Sequence, residues 1–539
     1  MTQVATPSTV ATPFDGVTVE AATGGPMQLE QRGQELWADF ADPDATPSSA
    51  NAARRIARRV VMTTGSHNQQ IFWYATGNSR VLGQLPAIWL TAERTWIPRR
   101  AAVMAPPGAS HYSETGAWNG ICLSCHATLG QPRLDTPFGS RPIAEQSADT
   151  RAVEFGIACE ACHGPGDRHA AANRNPLRRY RLHFTGGADS TIVQPARLDP
   201  RRGAQVCGQC HSFWEFGDAT AERDANAHGL PYRPGDDLAA TRFVVQPTKN
   251  GDAAAMQAFL AADAGFIRDI FWADGMVRAT GREYNGLIES PCFARATDPA
   301  RTLTCFTCHT MHKPEDDRRP LDEWADDQLS PRAIGNAACV QCHTTDDTHA
   351  HHRAGSAGSA CENCHMPHTT YGLLKTIRSH QISSPSVQAT IATGRPNACN
   401  LCHLDQTLGW TADRLTQWYG AARPALTGDE ESVAASVLWL LKGDAGQRAI
   451  IAQAMGWRAA QEASGSGWLA PYLALTERDQ YDAVRLIAAR SARTLPRFSR
   501  DQLPRGNPRL LINPGGTFDA ERVNRLVRER NNRRVVYRE

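Results

Sequence analysis

The sequence contains no long apolar run and very little lysine. No stretch of about 18 consecutive apolar residues occurs in the 539-residue chain, and a helix needs about 20 of them to cross a bilayer, so no integral membrane segment is predicted. The formal net charge is only +2, whereas nucleic-acid-binding proteins usually carry a strongly basic surface. No nucleic-acid partner is therefore predicted. The basic residues are almost all arginine, with four lysines in the chain, Lys249, Lys313, Lys375 and Lys442.

The N-terminal segment MTQVATPSTVATPFDG lacks the apolar core of a secretory signal peptide, so no such signal is visible in the given sequence. Residues 1–13 are rich in Thr, Ala, Ser and Pro, and this composition predicts disorder.

Cysteine is the residue type that carries the strongest pattern. Fourteen of the fifteen cysteines form seven pairs with two residues between them, and a histidine directly follows each pair. Composition alone would produce only about 0.01 such pentapeptides in the whole chain. The motifs comprise Cys122, Cys125 and His126; Cys159, Cys162 and His163; Cys207, Cys210 and His211; Cys305, Cys308 and His309; Cys339, Cys342 and His343; Cys361, Cys364 and His365; and Cys399, Cys402 and His403.

The spacing within each motif has a chemical reason. Two cysteines three positions apart lie on one helical turn and can form thioethers with both vinyl groups of a porphyrin, while the next histidine reaches the iron. Disulfides would leave the seven histidines unexplained, and zinc sites rarely have a histidine after every pair. Thioredoxin-like redox pairs occur singly. The motifs therefore predict seven covalently attached haem c groups, each with its motif histidine as the proximal ligand.

Cys292 is the cysteine outside the motifs. It has no disulfide partner if every other cysteine forms a thioether, so a buried free thiol is predicted, with a redox or ligand role as the alternative.

Eleven histidines remain for the second axial position. His169 follows the second motif by six residues and His312 follows His309 by three, so neither can reach the far face of its own haem, and each is predicted to bind a neighbouring one. His67 and His380 are predicted distal ligands as well. One histidine of the run His349, His351, His352 is expected to serve, with His352 favoured. Four others are interpreted as surface or hydrogen-bonding residues: His111, His183, His228 and His368.

The predicted fold is mainly α with much irregular structure, because the gaps between most motifs are too short for an independent core. Val433, Val437, Leu440 and Leu441 follow helical spacing, and helices are predicted at 428–442, 445–463, 468–475 and 479–494. The predicted divisions are a small β-containing region at 14–109, a heptahaem domain at 110–410 with an inserted lobe at 212–304, a HEAT-like helical domain at 411–500, and a tail at 501–539 with a basic helix at 519–535.

The inserted lobe carries Arg278, Arg282 and Tyr284 close together in the sequence. A cavity lined by Arg and Tyr beside a haem would suit an oxyanion, which makes these residues weak catalytic candidates. The alternative is that the arginines bind haem propionates and that Tyr284 is packed in a core.

The segments CEACHGPGDRH, CFTCHTMH and CENCHMP, the last followed by SH at 379–380, resemble the multihaem cytochrome c superfamily that includes hydroxylamine oxidoreductase and octahaem tetrathionate reductase. The resemblance covers roughly residues 60–410. It implies stacked haem pairs, mostly with two histidine ligands per iron, in a periplasmic or surface-associated protein. The chain departs from the family in having seven motifs rather than eight, no CxxCK motif, and no clear counterpart of the catalytic tyrosine crosslink.

Two functions follow as expectations. The first is electron transfer between redox partner proteins, which could be other cytochromes or a quinol-linked membrane complex. The alternative is a haem-based oxidoreductase of a small nitrogen or sulfur compound, with one iron left open for substrate. Because haem c is attached outside the cytoplasm, a periplasmic or otherwise extracytoplasmic location is predicted.

Overall fold

The structure is a computed structural model of the chain and describes residues 2–22, 24–43, 54–65, 67–102, 104–106, 116–136, 146–345, 348–497 and 506–537. His111 lies outside these described residues. Helices account for 42% and strands for 15% of these described residues, so the fold is mixed α and β rather than mainly α. No helix in the described ranges is both long and apolar enough to cross a bilayer.

The chain divides into two compact units. The first unit comprises Met1–Arg99, Gly108–Val245 and Thr302–Phe306, and the second comprises Arg100–Pro107, Gln246–Arg301 and Thr307–Glu539. The boundaries cut across the predicted heptahaem domain, and they divide the predicted lobe at 212–304 between the two units. The fourth motif has Cys305 in the first unit and Cys308 in the second.

An antiparallel sheet of nine strands occupies the N-terminal part of the first unit, in the order β2-β3-β4-β5-β6-β8-β9, with β1 paired to β5 and β7 paired to β6. The strands are β1 (Gln3–Val4), β2 (Val17–Val19), β3 (Met27–Arg32), β4 (Glu35–Ala41), β5 (Arg55–Thr64), β6 (Gln69–Ala75), β7 (Leu82–Gln84), β8 (Ala87–Leu90) and β9 (Thr95–Pro98). This sheet is larger than the predicted small β element.

Alternation of side chains gives the sheet its core. In β4, Leu36, Ala38 and Phe40 are buried and their neighbours are more exposed, which is the two-residue period of a strand with one covered face. The Phe40 ring contacts the Tyr74 ring across the core at 5.1 Å. Residues 2–13, for which composition predicts disorder, instead contribute β1 to the sheet, because strand pairing uses backbone groups that any composition supplies.

The sheet is joined to the first cysteine motif by a second apolar cluster. Trp73 of β6 contacts Trp118 at a ring distance of 5.8 Å, and both pack with Met62, Leu123 and Ala127. Since Leu123 lies between the two cysteines of the first motif, this cluster fixes that motif against the sheet.

The remaining part of the first unit consists of short helices and two-stranded ladders. Ala127–Thr128 pairs with Glu154–Phe155, and Trp214–Glu215 pairs with Phe243–Val244. The helices are Trp118–Cys122 (π), Leu123–His126, Cys159–His163, Asp167–Ala172, Pro176–Thr185, Pro195–Arg197 (3-10), Pro200–His211, Ala219–His228 and Leu238–Ala240 (3-10).

In the described part of the second unit the regular elements are helices, apart from one ladder between Thr370–Gly372 and Lys375–Ile377, and they are joined by irregular segments. Two helices, Arg99–Ala102 and Cys305–Cys308, cross a unit boundary. The helices of the second unit up to the last motif are Pro247–Asn250, Ala254–Ala262, Phe266–Ile270, Glu283–Glu289, Pro291–Ala294, Pro299–Arg301 (3-10), Leu321–Asp327, Pro331–Ala333 (3-10), Ala337–Val340, Ala357–Ser359 (3-10), Cys361–His365, Val387–Thr393 and Ala398–Cys402.

The C-terminal helices bury the apolar stripes that the sequence predicts. Val433, Val437, Leu440 and Leu441 are all buried. The predicted helix 445–463 is two helices, because the first ends at Met455 with Gly456 as its C-cap and the second begins at Arg458. The helices are Leu408–Tyr419, Gly428–Ser432, Ala435–Lys442, Ala445–Met455, Arg458–Ser464, Leu469–Thr476, Asp482–Ala492, Pro508–Leu510 (3-10) and Ala520–Arg528. The predicted basic helix 519–535 therefore ends earlier, at Arg528.

Candidate haem-binding centres

Each cysteine motif lies on or beside a short helical turn. In the second and sixth motifs the five residues form the whole helix, as Cys159–His163 and Cys361–His365, and in the third they form the end of Pro200–His211. All fifteen cysteines are within the described residues, and none forms a disulfide. One turn of helix places both thiols on the same side, as a double thioether to one porphyrin requires.

Thiols of different motifs lie next to one another in the first unit. Cys125 of the first motif interacts with Cys210 of the third, and this contact together with burial raises the pKa of Cys210. Cys207 of the third motif interacts with Cys305, the first cysteine of the fourth, and this lowers the pKa of Cys207. Burial and the neighbouring Cys207 raise the pKa of Cys162 in the second motif.

The second unit continues this pattern. Burial and the neighbouring Cys361 raise the pKa of Cys339 to about 12, and Cys308 contributes a smaller part. Burial and the neighbouring Cys364 raise the pKa of Cys399 and of Cys402 to about 12. Motifs four to seven are therefore neighbours in sequence order, and the thiols of the seventh motif stay neutral at physiological pH.

Three motif histidines are oriented by backbone carbonyl groups. The Nδ1 atoms of His163, His309 and His365 lie 2.8, 2.9 and 3.0 Å from the carbonyl oxygens of Val193, Asp327 and Ser383. A carbonyl oxygen only accepts hydrogen bonds, so in these rings Nδ1 carries the proton and Nε2 keeps its lone pair. This is the tautomer and the arrangement that metal-binding histidines use.

Three motif histidines, His309, His365 and His403, each face a second histidine ring. The ring centres are 6.3 Å apart for His309 and His380, with 21° between the planes. They are 6.2 Å apart at 11° for His349 and His365, and 5.9 Å apart at 28° for His352 and His403.

These separations fit an iron ion between the rings. A metal–imidazole bond is about 2.0 Å long and the bonding nitrogen lies about 1.1 Å from the ring centre, so two imidazoles on opposite sides of one ion have centres about 6.2 Å apart. Two of the facing rings are also oriented through Nδ1. The Nδ1 atom of His352 lies 2.5 Å from the Ala350 carbonyl oxygen, and that of His380 lies 3.3 Å from the Arg378 carbonyl oxygen. The residues present therefore fit bis-histidine haem at these three motifs.

The loop that carries His349 and His352 is held by one helix end. The Tyr419 hydroxyl donates a hydrogen bond of 2.6 Å to the His349 carbonyl oxygen, and His351 stacks on Trp418 with ring centres 4.5 Å apart. A Cβ atom on Gly358 would lie 2.2 Å from the His352 ring, so a larger residue there would displace that ring. His351 is thus the anchor of the loop, and the histidines on either side of it face two different motifs.

Removal of the Tyr419 hydroxyl is expected to weaken this arrangement. Because one hydrogen bond contributes about 1 kcal/mol, Tyr419→Phe should make displacement of His349 by added imidazole about fivefold easier, measured as the optical change on imidazole titration of the oxidised protein. Tyr180→Phe, at an exposed tyrosine of the first unit, is the matched control. Identical titrations of Tyr419→Phe and the unmodified protein would show that the hydroxyl does not hold the loop.

The other predicted distal ligands have different surroundings. His169 is half-buried and its Nδ1 lies 3.2 Å from a carboxylate oxygen of Asp189. His67, between β5 and β6, and His312 are exposed. His368, interpreted as a surface or hydrogen-bonding residue, is partly buried beside Trp457; burial and the Arg378 charge lower its pKa to about 4, so it is neutral at physiological pH.

The three weak catalytic candidates do not form one site. Arg278 is buried and donates to both carboxylate oxygens of Asp444 at 2.8 and 2.9 Å, and its Nε donates to the Tyr537 hydroxyl. Because these contacts occupy its guanidinium, Arg278 is no longer a candidate catalytic residue. Tyr284 is buried in the helix Glu283–Glu289. Arg282 lines a small cavity with Val277, Glu283, Gly286, Thr370, Arg378 and His380.

His349 is the residue that sequence reasoning missed. The sequence predicts one ligand in the run His349, His351, His352, but the structure places two of the three against motif histidines. The signal that would have pointed to two ligands is their spacing of three residues, which separates the rings along the loop. Cys292, predicted to be a buried free thiol, is partly buried in the helix Pro291–Ala294 and forms no disulfide.

No protein-family model and no curated protein sequence matches this chain. Among solved structures, the crystal structure of the outer cell wall cytochrome OcwA is similar at 19% sequence identity and a TM-score of 0.42, over 81% of this chain and 88% of that one. A TM-score this low does not establish a common fold, so the function of this chain is inferred from its own residues.

Proposed function

We propose that the chain is a heptahaem c-type cytochrome that transfers electrons through covalently bound haems. The observation that carries this proposal is the facing of three motif histidines by a second histidine at the separation that an axial iron requires. Bound haem would supply a one-electron couple between ferric and ferrous iron. Two imidazole ligands leave no axial position for a substrate, which suits conduction.

The chain's own residues would hold the cofactors in two ways. The fourteen motif cysteines would form the thioethers, and the seven motif histidines would bind the iron ions as first ligands. His380, His349 and His352 would supply the second histidine for the fourth, sixth and seventh motifs. His67, His169 and His312 remain proposed distal ligands for other motifs.

Contacts between cysteines of different motifs support a conducting path. In the first unit the first, second and fourth motifs are each neighbours of the third, and in the second unit the fourth to seventh motifs follow in sequence order. The third motif would be a branch point, with the first and second motifs as alternative ends.

The geometry of the Arg282 cavity does not favour the oxidoreductase alternative. The cavity reaches His380, which is the ring that faces His309. An anion in this cavity would meet the distal imidazole and not the iron. We therefore propose electron transfer as the function, with redox partner proteins as the electron donor and acceptor. The proposed location is extracytoplasmic, since haem c is attached outside the cytoplasm.

Two measurements on the purified protein test the proposal. Haem staining after denaturing electrophoresis should be positive, and the intact mass should exceed that of the chain by seven haems. The oxidised protein should give low-spin spectra that do not change on addition of nitrite, hydroxylamine or tetrathionate. An apo mass would contradict the cofactor assignment, and a high-spin component shifted by one of these compounds would favour the oxidoreductase.

The assignment of His349 has a direct test with a neighbouring control. His349→Ala is expected to convert one of the low-spin haems to high spin, because the sixth motif loses its distal ligand while His365 and the thioethers remain. His351→Phe removes a histidine from the same loop but keeps an aromatic ring to stack on Trp418, and it should retain every low-spin signal at low temperature. Electron paramagnetic resonance of the oxidised protein distinguishes the two. Equal low-spin intensity in both variants would refute the assignment.

A further inference from the structure

One helix of the first unit, Pro176–Thr185, exposes an apolar stripe. Leu177 and Phe184 are 76% and 80% exposed, more than any other large apolar residue in the described part of the chain, and Tyr180 between them is 62% exposed. Their spacing of three and four residues puts the three side chains on one side of the helix. The Tyr180 and Phe184 rings stack with centres 6.5 Å apart. Single exposed apolar residues are ordinary, but a contiguous exposed group is typical of an interaction site.

The helix holds this stripe outward because its ends are capped and another side is fastened. The Asn175 side chain accepts a hydrogen bond of 3.0 Å from the backbone N–H of Leu177, and Gly186 ends the helix in the left-handed conformation. Arg178, about 100° around the helix from Leu177, donates at 2.7 Å to the buried carboxylate of Asp189. The contact with Asp189 therefore sets which side faces the protein.

Positive charge surrounds the stripe. Between Asp167 and Asp189 the sequence contains five arginines and no acidic residue. Apart from Arg178, these arginines are exposed, and none of them forms an ion pair within the described residues: Arg168, Arg174, Arg179 and Arg181. Arg181 is on the stripe itself, four residues after Leu177 and three before Phe184. The surface therefore combines exposed apolar side chains with positive charge that no neighbouring carboxylate neutralises.

We propose that the helix Pro176–Thr185 binds the surface of an anionic lipid bilayer, with Leu177, Tyr180 and Phe184 inserted among the headgroups. Helices that lie in a bilayer interface bury apolar side chains at the boundary of headgroups and acyl chains and place basic residues beside the lipid phosphates. The guanidinium fork of Arg181 suits a phosphate, because it can donate two parallel hydrogen bonds. This inference goes beyond electron transfer and does not rest on it.

The size and shape of the stripe favour a bilayer over an acidic protein. Two aromatic side chains and one leucine can bury roughly 500 Å², whereas a stable protein–protein interface takes about 800 Å² from each partner. A protein partner would also need a pocket of matching shape for each protruding side chain. Fluid lipid adapts to side chains of any shape, and a layer of phosphates offers negative charge to all the arginines around the stripe.

The stripe is linked through a short loop to the second cysteine motif. Asp189, which binds Arg178, is four residues before Val193, and the Val193 carbonyl oxygen lies 2.8 Å from His163 Nδ1. A bilayer bound at the helix would therefore lie on the side of the second motif. This placement would suit a redox partner that is itself in the membrane.

The test is co-sedimentation of the full-length holo-protein with two kinds of large unilamellar vesicle. One kind contains equal parts of phosphatidylglycerol and phosphatidylcholine, and the other contains phosphatidylcholine alone. The amount of protein in the pellet should give an affinity for the anionic vesicles at least about tenfold higher than for the neutral ones. Added salt should weaken the binding without abolishing it, because salt screens the arginine charges but not the burial of apolar side chains.

Four variants assign the binding to this helix. Phe184→Ser and Leu177→Ser should each weaken binding to the anionic vesicles about tenfold, and Arg181→Gln should weaken it about fivefold. Leu321→Ser is the matched control, because Leu321 is 67% exposed on a helix whose first turn contains Asp322 and Glu323, and it should bind like the unmodified protein. All four positions are exposed, so the variants should fold.

Two results would overturn the proposal. If the protein does not sediment with the anionic vesicles, the helix does not bind a bilayer, and an acidic protein would be the occupant of the stripe. If the protein sediments but Phe184→Ser, Leu177→Ser and Leu321→Ser all bind equally well, another surface is responsible. Neither result depends on the number of haems or on their ligands, so the proposed electron transfer stands or fails separately.

Discussion

Replacing Cys399 and Cys402 with alanine is expected to reduce the intact mass by one haem and to remove one low-spin haem signal. In the proposed assignment the two thiols would attach the haem of the seventh motif covalently, and neither His403 nor His352 alone would retain a porphyrin through denaturing electrophoresis. The same variant should lose the spectral contribution of the histidine pair at this motif, because the imidazoles would have no iron to bind.

The stability of this variant should also fall, because the seventh motif is built into the helical core. Leu401 and Leu404 are buried, the buried Asn400 side-chain oxygen accepts from the Thr411 hydroxyl at 2.8 Å, and the Ser464 hydroxyl donates to the Cys402 carbonyl oxygen at 2.7 Å. Loss of a large aromatic side chain from a core costs about 3–5 kcal/mol, and a porphyrin is larger still. A drop of at least about 5 kcal/mol in the free energy of unfolding is therefore expected.

Cys292→Ala provides the control for this experiment. Cys292 is outside every motif, so its replacement should leave seven haems, all low-spin signals and nearly the same unfolding midpoint. Mass spectrometry and thermal unfolding of both variants, each prepared with haem attached at all of its intact motifs, give the comparison. Retention of seven haems by the Cys399→Ala, Cys402→Ala protein would contradict the assignment of the seventh motif.

Asp444→Asn is expected to destabilise the second unit by about 3–5 kcal/mol, the usual result of leaving a buried charge without its partner. The Asp444 and Arg278 side chains are 6% and 4% exposed. Asp444 also accepts from Arg533 at 3.1 Å and from the backbone N–H of Gln447 at 3.0 Å. The substitution would leave Arg278 buried, with only a neutral amide opposite its charge.

The C-terminal segment depends on the same ion pair. The Tyr537 hydroxyl accepts from the Arg278 Nε at 2.9 Å, and Arg533 joins Asp444 to Asp269. The expected destabilisation is measured by urea unfolding of the holo-protein. Asp413→Asn breaks an exposed ion pair with Arg423 and should shift the midpoint far less, because exposed pairs contribute little. Equal shifts for Asp444→Asn and Asp413→Asn would contradict the structural role of the buried pair.

The pH dependence of stability follows from the same carboxylate. Burial opposes ionisation, but the charge of Arg278 and the hydrogen bond from Gln447 lower the pKa of Asp444 to about 2 in the folded chain, against about 3.9 when unfolded. A lowered folded-state pKa contributes stability that is fully present above the unfolded pKa and is lost as the pH falls through the folded one. The unmodified protein should therefore lose stability between about pH 5 and pH 2 more steeply than Asp444→Asn does.

The sequence by itself determines the proposed haem attachment sites. The chemistry of a Cys-X-X-Cys-His motif is complete within five consecutive residues, so no tertiary information is needed to predict which cysteines and histidines would attach a haem. The apolar stripe from Val433 to Leu441 is predictable for a similar reason, since helical periodicity is a local property. The alternation of buried and exposed residues in β4 is likewise a local property of the sequence.

Only the tertiary structure decides which histidine faces which motif. His380 is 71 residues from His309 in sequence, and His349 and His352 reach their partners by way of a loop held by Tyr419 and Trp418, so residue type alone could not separate His349 from His351. Arg278 shows the same limit, because its partner Asp444 is 166 residues away. Covalent attachment is encoded in consecutive residues, whereas axial ligation and charge burial depend on residues that are brought together only when the chain packs.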